Sequence, residues 1–400
     1  MTKSIVVTGY PYAYSYYFKV FEYAENKDDL VFILPKRWEA KNGKVKIDFK
    51  KRGDFKIYSL SAWSYGGRAL FSGLFKGWMP STCFILPLLR LKYNSRVLYS
   101  CLEPNLLGTL YNGFFAKLFG YKHVLFTWQN VPPERRMSGL KLKLSNALVR
   151  ANLFFADGII CGNKKAADIV RKWKMENEDW KILICPLSGV DTEKFKPSQI
   201  VQDKLNWLLG ISVGNLKYIL FYGALEKRKG VDQVIEAMKR LKEIRNDIKF
   251  ELDIIGTGPE EEGLKKQKKE NGLSDNVVFL DWTSNDKLPN QLDKADVFVY
   301  PSIPLDGWEE QFGYAMAEAS SCEVPVVATR TGSIEEVIID GKSGILVEPN
   351  NPEQLAEAIN KILSDKELAE RMGRFGREYV IKNYSHPVIA KKLVLFLKQF

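Results

Sequence analysis

Residues 218–256 read YILFYGALEKRKGVDQVIEAMKRLKEIRNDIKFELDIIG. The stretch opens on YILFYG (218–223), an apolar and aromatic run of the length of a buried strand. A basic turn, EKRKG (226–230), follows it. The segment GVDQVIEAMKRLKEIRN (230–246) then places Val231, Val234, Ile235, Met238 and Leu241 at helical spacing. A second strand-like run, FELDIIG (250–256), closes the stretch. Strand, helix and strand in this order build a parallel sheet, because parallel neighbours need a long crossover.

The same alternation continues on both sides. Downstream come NVVFLD (276–281), VFVYPS (297–302), VPVVATR (324–330) and GILVEP (344–349); upstream lie SIVVTG (4–9), VLYS (97–100), HVLFTW (123–128) and GIICG (158–162). Between the two series, LSGVDTEKFKPSQIV (187–201) breaks the periodicity with Gly189, Pro197 and polar residues. The pattern therefore occurs twice. It predicts an α/β protein of two doubly wound, Rossmann-like domains facing a cleft, residues 1–190 and 191–380. The tail, REYVIKNYSHPVIAKKLVLFLKQF (377–400), reads as helical, with Pro387 near a helix start. Open α/β sheets bind ligands at the carboxyl ends of their strands, so the site is expected in the cleft.

The 400 residues are 46% hydrophobic and 12% aromatic, enough to bury two cores and to exclude global disorder. Residues 1–200 carry 32 basic and 16 acidic side chains, residues 201–400 carry 27 and 32, and the net charge is +11. The basic excess thus lies wholly in the first half. It points to an anionic neighbour (nucleic acid, lipid headgroups or a phosphorylated substrate) or to a solvated lysine-rich surface. Cys83, Cys101, Cys161, Cys185 and Cys322 are odd in number and widely spaced, which fits a reducing compartment and neither a disulfide framework nor a zinc site. Two histidines, His123 and His386, argue against a histidine-built metal centre. The segment WMPSTCFILPLLRL (78–91) is short and broken by Pro80, Pro87 and Arg90, too little for a membrane span. A cytoplasmic protein, soluble or peripheral on the inner membrane face, is the expectation.

Familiar phosphate loops are missing. There is no G-x-x-x-x-G-K-[ST] and no D-x-D, and GTGPEE (256–261) has Glu261 where a dinucleotide fingerprint needs its third glycine. DGWEEQFGYAMAEASS (306–321) is more informative. A helix beginning at Phe312–Gly313 would offer free N–H groups and a positive dipole end to an anion. Glu310 would stand at its mouth to accept from sugar hydroxyls, and Glu318, two turns on, would hold a ribose diol. The alternative makes Glu310 a carboxylate that satisfies the helix dipole and Glu318 a solvated residue. In EKRKG a lysine would meet a diphosphate as a point charge, or these are exposed loop lysines.

The blocks SGVD-x3-F-x-P (188–197), GAL-x3-KG (223–230), IIGTGPEEEGL (254–264), VVFLDW (277–282), ADVFVYPS (295–302), E-x-F-G-x4-EA (310–319) and PVVATRTGSIEEVIIDGKSGILVEP (325–349) together resemble the retaining glycosyltransferases of family four, which have the GT-B architecture. The match covers roughly residues 188–380. It implies a C-terminal nucleotide-sugar donor-binding domain and, before it, an acceptor-binding domain onto which a C-terminal helix (about 380–400) packs back. It further implies that Lys229 pairs with the donor diphosphate and that Glu310 binds donor-sugar hydroxyls. Phe312 and Gly313 would present backbone N–H groups, Glu318 would bind the ribose, Gly256 would line the donor site, and the base would lie near Trp282 to Leu288.

Three features depart from the family pattern. Ala224 stands where an arginine is usual, and neighbouring Arg228 is the expected substitute. The N-terminal glycine-rich loop is reduced to TGYPYAY (8–14), leaving Gly9 alone. Trp128, Gln129 and Asn130 follow the strand after which many relatives carry a histidine. Gly9, Gln129 and Asn130 are the acceptor-side candidates.

The resemblance implies transfer of a hexose from a nucleotide-sugar to a sugar, glycan or lipid-linked acceptor, with retention by front-face attack and with no cofactor or metal. A sugar-nucleotide epimerase of the same architecture is the rival enzyme reading. A basic nucleic-acid-binding protein is the rival without catalysis, weakened by the acidic second half and the lack of a nucleic-acid motif. Three basic segments stand out: KKRGDFK (50–56), ERRMSGLKLKLSNALVR (134–150) and NKKAADIVRKWK (163–174). The middle one reads as a cationic amphipathic helix suited to anionic lipid, or as an ordinary solvated face. Tyr14, Tyr17, Phe18 and Phe21, at helical spacing, read as core rather than as a sugar platform.

Overall fold

The computed structural model describes residues 4–40, 43–46, 55–63, 72–173, 180–198, 216–245 and 247–400. The start of the basic run at 50–56, Lys174 and the end of the 187–201 interruption lie outside these residues. The chain forms two compact units, residues 1–189 with 386–400, and residues 190–385.

The strands of the first unit are β1 (Ile5–Thr8), β2 (Leu30–Pro35), a hairpin of β3 (Arg37–Ala40) and β4 (Gly43–Lys46), β5 (Lys56–Leu60), β6 (Val97–Ser100), β7 (Lys122–Thr127), β8 (Gly158–Cys161) and β9 (Lys181–Ile184). Seven of them make one sheet in the order β5-β2-β1-β6-β7-β8-β9, parallel throughout. β1, β2 and β6 are buried along their whole length, as expected of central parallel strands covered on both faces. Leu86 and Leu89 of the helix Thr82–Tyr93 pack on Val6, Val31 and Leu98. Val149 and Leu153 of Gly139–Phe154 and Ala166 and Val170 of Lys164–Trp173 pack on Leu125 and Ile159. Phe18 and Phe21 are core residues against Phe32, at ring separations of 4.8 and 5.0 Å, whereas Tyr14 is exposed. The last helix, His386–Leu397, has Pro387 as its second residue and belongs to this unit. Residues 380–384 instead finish the preceding helix, Lys366–Tyr384, of the second unit.

The second unit contains β10 (Leu216–Tyr222), β11 (Lys249–Ile255), β12 (Val277–Leu280), β13 (Val297–Tyr300), β14 (Val326–Thr329) and β15 (Gly344–Val347). They form a parallel sheet in the order β12-β11-β10-β13-β14-β15. The helix Val231–Ile244 buries Val231, Val234, Ile235, Met238 and Leu241, the stripe read from their spacing. They share one core with Ile219, Leu252, Val299 and, from the helix Pro352–Ser364, Leu355 and Ile359.

Both sheets are doubly wound. In the first the strand order reverses between β1 and β6, in the second between β10 and β13. At such a reversal the connections leave in opposite directions and open a crevice at the carboxyl ends of the two strands.

Candidate functional site

In the second unit the crevice is lined by the segments that leave Tyr222 of β10 and Tyr300 of β13. After β10 the chain turns through Lys227–Lys229 to Gly230, whose φ of 63° lies in the left-handed region. A Cβ on Gly230 would overlap the Pro301 carbonyl oxygen, so this turn is pressed directly against the chain leaving β13. That contact delivers Lys229 to the end of the neighbouring strand.

Lys229 Nζ donates to Glu310 Oε2 at 2.6 Å and to Tyr300 Oη at 2.7 Å. The Tyr300 hydroxyl and Ser302 Oγ donate to the same carboxylate oxygen at 2.7 and 3.1 Å, and Gln311 N–H donates to Glu310 Oε1 at 3.3 Å. The side chains of Lys229 and Glu310 are only 11% and 9% exposed. Burial pushes the Glu310 carboxyl up, but the Lys229 ammonium and the hydrogen bonds from Lys229, Tyr300 and Ser302 outweigh it and hold its pKa below the usual value. Burial pulls the Lys229 ammonium down, against the opposing charge of Glu310. The Tyr300 hydroxyl is raised by burial and then by Glu310, so it stays a donor.

Arg228 is held beside this group. Its Nε donates to Glu226 Oε2 at 2.7 Å, and its guanidinium carbon lies 4.2 Å from the Trp308 ring centre. Lys229 Nζ lies 5.4 Å from the same ring, so Trp308 carries both cations. Ala224 is followed by this pair, which brings two positive groups to the end of β10.

The helix expected to start at Phe312–Gly313 runs from Tyr314 to Ser321, with Gly313 as its N-cap at a φ of 80°. Phe312 is buried against Tyr314 and Tyr384, at ring separations of 4.7 and 5.0 Å. Glu318 is 4% exposed and accepts from the Tyr222 hydroxyl at 2.7 Å. The solvated alternative for Glu318 does not match this geometry, since it is buried, whereas Glu310 pairs with Lys229 and two hydroxyls and also accepts from an N–H just before the helix. Glu318 nonetheless belongs to a hydrogen bond of its own, with Tyr222, beside the one centred on Glu310. Gly256 sits where β11 ends, and a Cβ there would overlap the Gly223 carbonyl oxygen, so its lack of a side chain lets two turns stack. Trp282 is exposed just beyond β12.

In the first unit, Gly9 follows β1 and packs on the Cys101 backbone beyond β6. Gln129 N–H donates to Thr127 Oγ1 at 3.0 Å, and Asn130 is buried. Glu103 joins them, its carboxylate accepting from Thr127 Oγ1 at 2.7 Å and Trp128 N–H at 2.9 Å. Burial raises its pKa, against those two hydrogen bonds. Sequence reasoning passed over Glu103, Trp308, Tyr300 and Ser302. For Glu103 the available signal was a carboxylate three residues beyond the buried strand VLYS.

Residues 211–379 match the family described as glycosyl transferases group 1. The chain is 32% identical over 200 residues to the GDP-mannose-dependent alpha-(1-6)-phosphatidylinositol monomannoside mannosyltransferase of Mycolicibacterium smegmatis, covering 49% of this chain and 51% of that one. It thus spans about half the length of the curated relatives it matches. Among solved structures it resembles sucrose-phosphate synthase from Thermosynechococcus elongatus, with a TM-score of 0.73 at 20% identity over 100% of this chain and 99% of that one. HepE from Anabaena, solved in complex with UDP, also gives a TM-score of 0.73, at 17% identity over 100% of both chains. The fold is therefore the two-domain GT-B fold of those structures, and residues 211–379 are similar in sequence to group 1 glycosyl transferases.

Proposed function

We propose that the protein is a retaining glycosyltransferase that moves a sugar from a nucleotide-sugar donor to an acceptor hydroxyl. The observation that carries this reading is the buried Lys229–Glu310 pair with Tyr300 and Ser302, set at the strand-order reversal of the unit that matches the family. Lys229, Arg228 and the N–H groups of the helix capped by Gly313 would meet the donor diphosphate. Glu310 would orient the sugar through its hydroxyls, and Glu318 the ribose.

As the bond from the anomeric carbon to the diphosphate oxygen breaks, that oxygen takes the electron pair. The two cations and the helix dipole stabilise the charge as it grows. The acceptor oxygen attacks the same sugar face and passes its proton to the departing phosphate, so the products are a glycoside and a nucleoside diphosphate. These cations do the work for which some transferases use a metal, and we propose a metal-independent reaction. The mycobacterial relative's name specifies GDP-mannose and a phosphatidylinositol mannoside, which supports a lipid-linked acceptor. Neither the epimerase nor the nucleic-acid reading gains support from the relatives' names.

A thermal-shift screen against UDP, GDP, ADP and their sugar conjugates tests the donor site. One nucleotide family should raise the melting temperature selectively. Glu310→Gln should then lower turnover by about a hundredfold with the fold retained. Unchanged turnover would remove Glu310 from the mechanism.

A further inference from the structure

The helices Thr82–Tyr93, Leu107–Leu118 and Gly139–Phe154 lie side by side on the first unit, with Leu107–Leu118 in the middle. The middle helix carries large apolar side chains on its outer face. Its buried face is small and polar: Gly108, Thr109, Asn112, Gly113 and Ala116. Thr109 Oγ1 donates to the Glu103 carbonyl at 2.7 Å and Asn112 Nδ2 to Ser100 Oγ at 3.3 Å. Phe115 packs against the core, but two large apolar side chains fall on the outer face, where Phe114 is 51% and Leu118 62% exposed.

Both neighbours bury large apolar residues as well, yet each also exposes an apolar stripe. Phe84, Leu88 and Leu91, spaced as one helical stripe, are exposed on the first helix, and Leu140, Leu144 and Phe154 on the third. A helix of a globular protein ordinarily aims such a stripe at the core. Three adjacent outward stripes make an interaction surface. A groove of about 440 Å³ opens beside the middle helix and reaches Phe114 of its stripe, walled by Phe75, Trp78, Leu107, Tyr111, Phe114 and Phe155.

Charge identifies the partner that this surface fits. The three helices contain no Asp or Glu, and they carry Arg90, Lys92, Lys117, Lys141, Lys143 and Arg150. A second copy of the chain would set these cations against their own kind. A layer that is apolar inside and negatively charged at its surface satisfies both features at once. Among the described residues no helix is long and apolar enough to cross a membrane, so the contact is interfacial.

We propose that this face seats the protein on an anionic lipid leaflet and that the groove takes one hydrocarbon chain of a lipid. The proposal stands apart from the glycosyl-transfer reading and is tested without turnover. The full-length protein should co-sediment with vesicles of equimolar phosphatidylglycerol and phosphatidylcholine, and roughly tenfold more weakly with phosphatidylcholine vesicles. The Leu88→Glu/Phe114→Glu variant should lose binding to both, with its circular dichroism and melting temperature unchanged. Lys141→Gln/Lys143→Gln, solvent-facing changes that spare the fold, should weaken binding to the anionic vesicles only.

Vesicles with brominated acyl chains should quench the bound protein's fluorescence, and Trp78→Phe should remove part of that quenching. Absence of sedimentation with either vesicle, or unaltered sedimentation of the first variant, would overturn the seating. So would a dimer in sedimentation velocity that the first variant turns into monomer while vesicles stay unbound, since a second copy would then cover the face. Quenching unaffected by Trp78→Phe would overturn the groove assignment.

Discussion

Glu310 keeps its charge in surroundings that would otherwise expel it. Burial alone would push its carboxyl up, and Lys229, Tyr300 and Ser302 reverse the direction. Breaking a buried pair from one side costs more than the pair itself is worth, because the remaining charge stays desolvated. Lys229→Met should therefore destabilise the protein by about 3 kcal/mol at neutral pH, read from its urea midpoint. The pH dependence has a definite sign. In the wild type the Glu310 pKa is depressed, so its contribution is present above the unfolded carboxylate value and lost as pH falls through the folded one. Without Lys229, burial is opposed by the Tyr300 and Ser302 hydrogen bonds but no longer by the ammonium, so the folded pKa should rise relative to the wild type's. The mutant's penalty is then largest at neutral pH and relieved on acidification. The gap between the two proteins should narrow towards about pH 5, and a gap that widens would show that Lys229 is not what lowers Glu310. Lys229 and Glu310 were legible because each sits in a recurring block of sequence. Their union was not, because they lie 81 positions apart and only the sheet brings them together. Tyr300 and Ser302 lie within the block ADVFVYPS, but as the end of an apolar strand they read as core.

At the scale of elements, the site is built by turns that press on one another at strand ends. The turn after β14 is an example. Ser333 N–H donates to the Glu310 carbonyl at 2.8 Å, and a Cβ on Gly332, at a φ of 60°, would overlap that same carbonyl oxygen. This turn clamps the segment that carries Glu310. Gly332→Ala should cost about 2 kcal/mol or more and lower turnover with it, through strain at a positive φ and a clash with backbone. Gly341, at a φ of 72° with nothing within 4 Å of the place a Cβ would take, is the control. Its change to Ala should cost about 1 kcal/mol and leave turnover intact. Thermal denaturation and initial rates on both variants decide it, and equal effects would deny the clamp. Most strands were legible as short apolar runs between breaks in periodicity. β2, the β3–β4 hairpin, β5 and β9 were not read; β5, a half-buried strand at the edge of the sheet, KIYSL, has a weak apolar signal, whereas the fully buried β2, LVFILP, was an apolar run left unread. The outward stripe of Leu107–Leu118 was hidden for another reason: periodicity marks an apolar face but does not say whether the core or the surroundings receive it.

At the scale of the molecule, the two sheets divide the proposed chemistry between stretches of chain with separate cores. Lys229, Arg228, Glu310, Gly313 and Glu318 all lie within residues 190–385, and so does the core formed by Ile219, Leu252, Val299 and the helices Val231–Ile244 and Pro352–Ser364. The hydrogen bonds described above for that group are all made within residues 190–385. The fragment 190–385 should fold and bind the same nucleoside diphosphate as the whole chain, within about threefold in affinity, because the cations proposed to meet the diphosphate travel with it. It should transfer no sugar if the acceptor-side candidates Gly9, Gln129 and Asn130, left behind with the first unit, act as proposed. Circular dichroism establishes folding and calorimetric titration measures affinity. A folded fragment that binds no nucleoside diphosphate would place an essential donor contact in the first unit. A fragment that still transfers sugar would remove the acceptor role from that unit. The fragment also lacks the three acid-free helices, so it should not sediment with anionic vesicles that retain the full chain. Donor binding and lipid seating would then be separable properties of two halves of one protein.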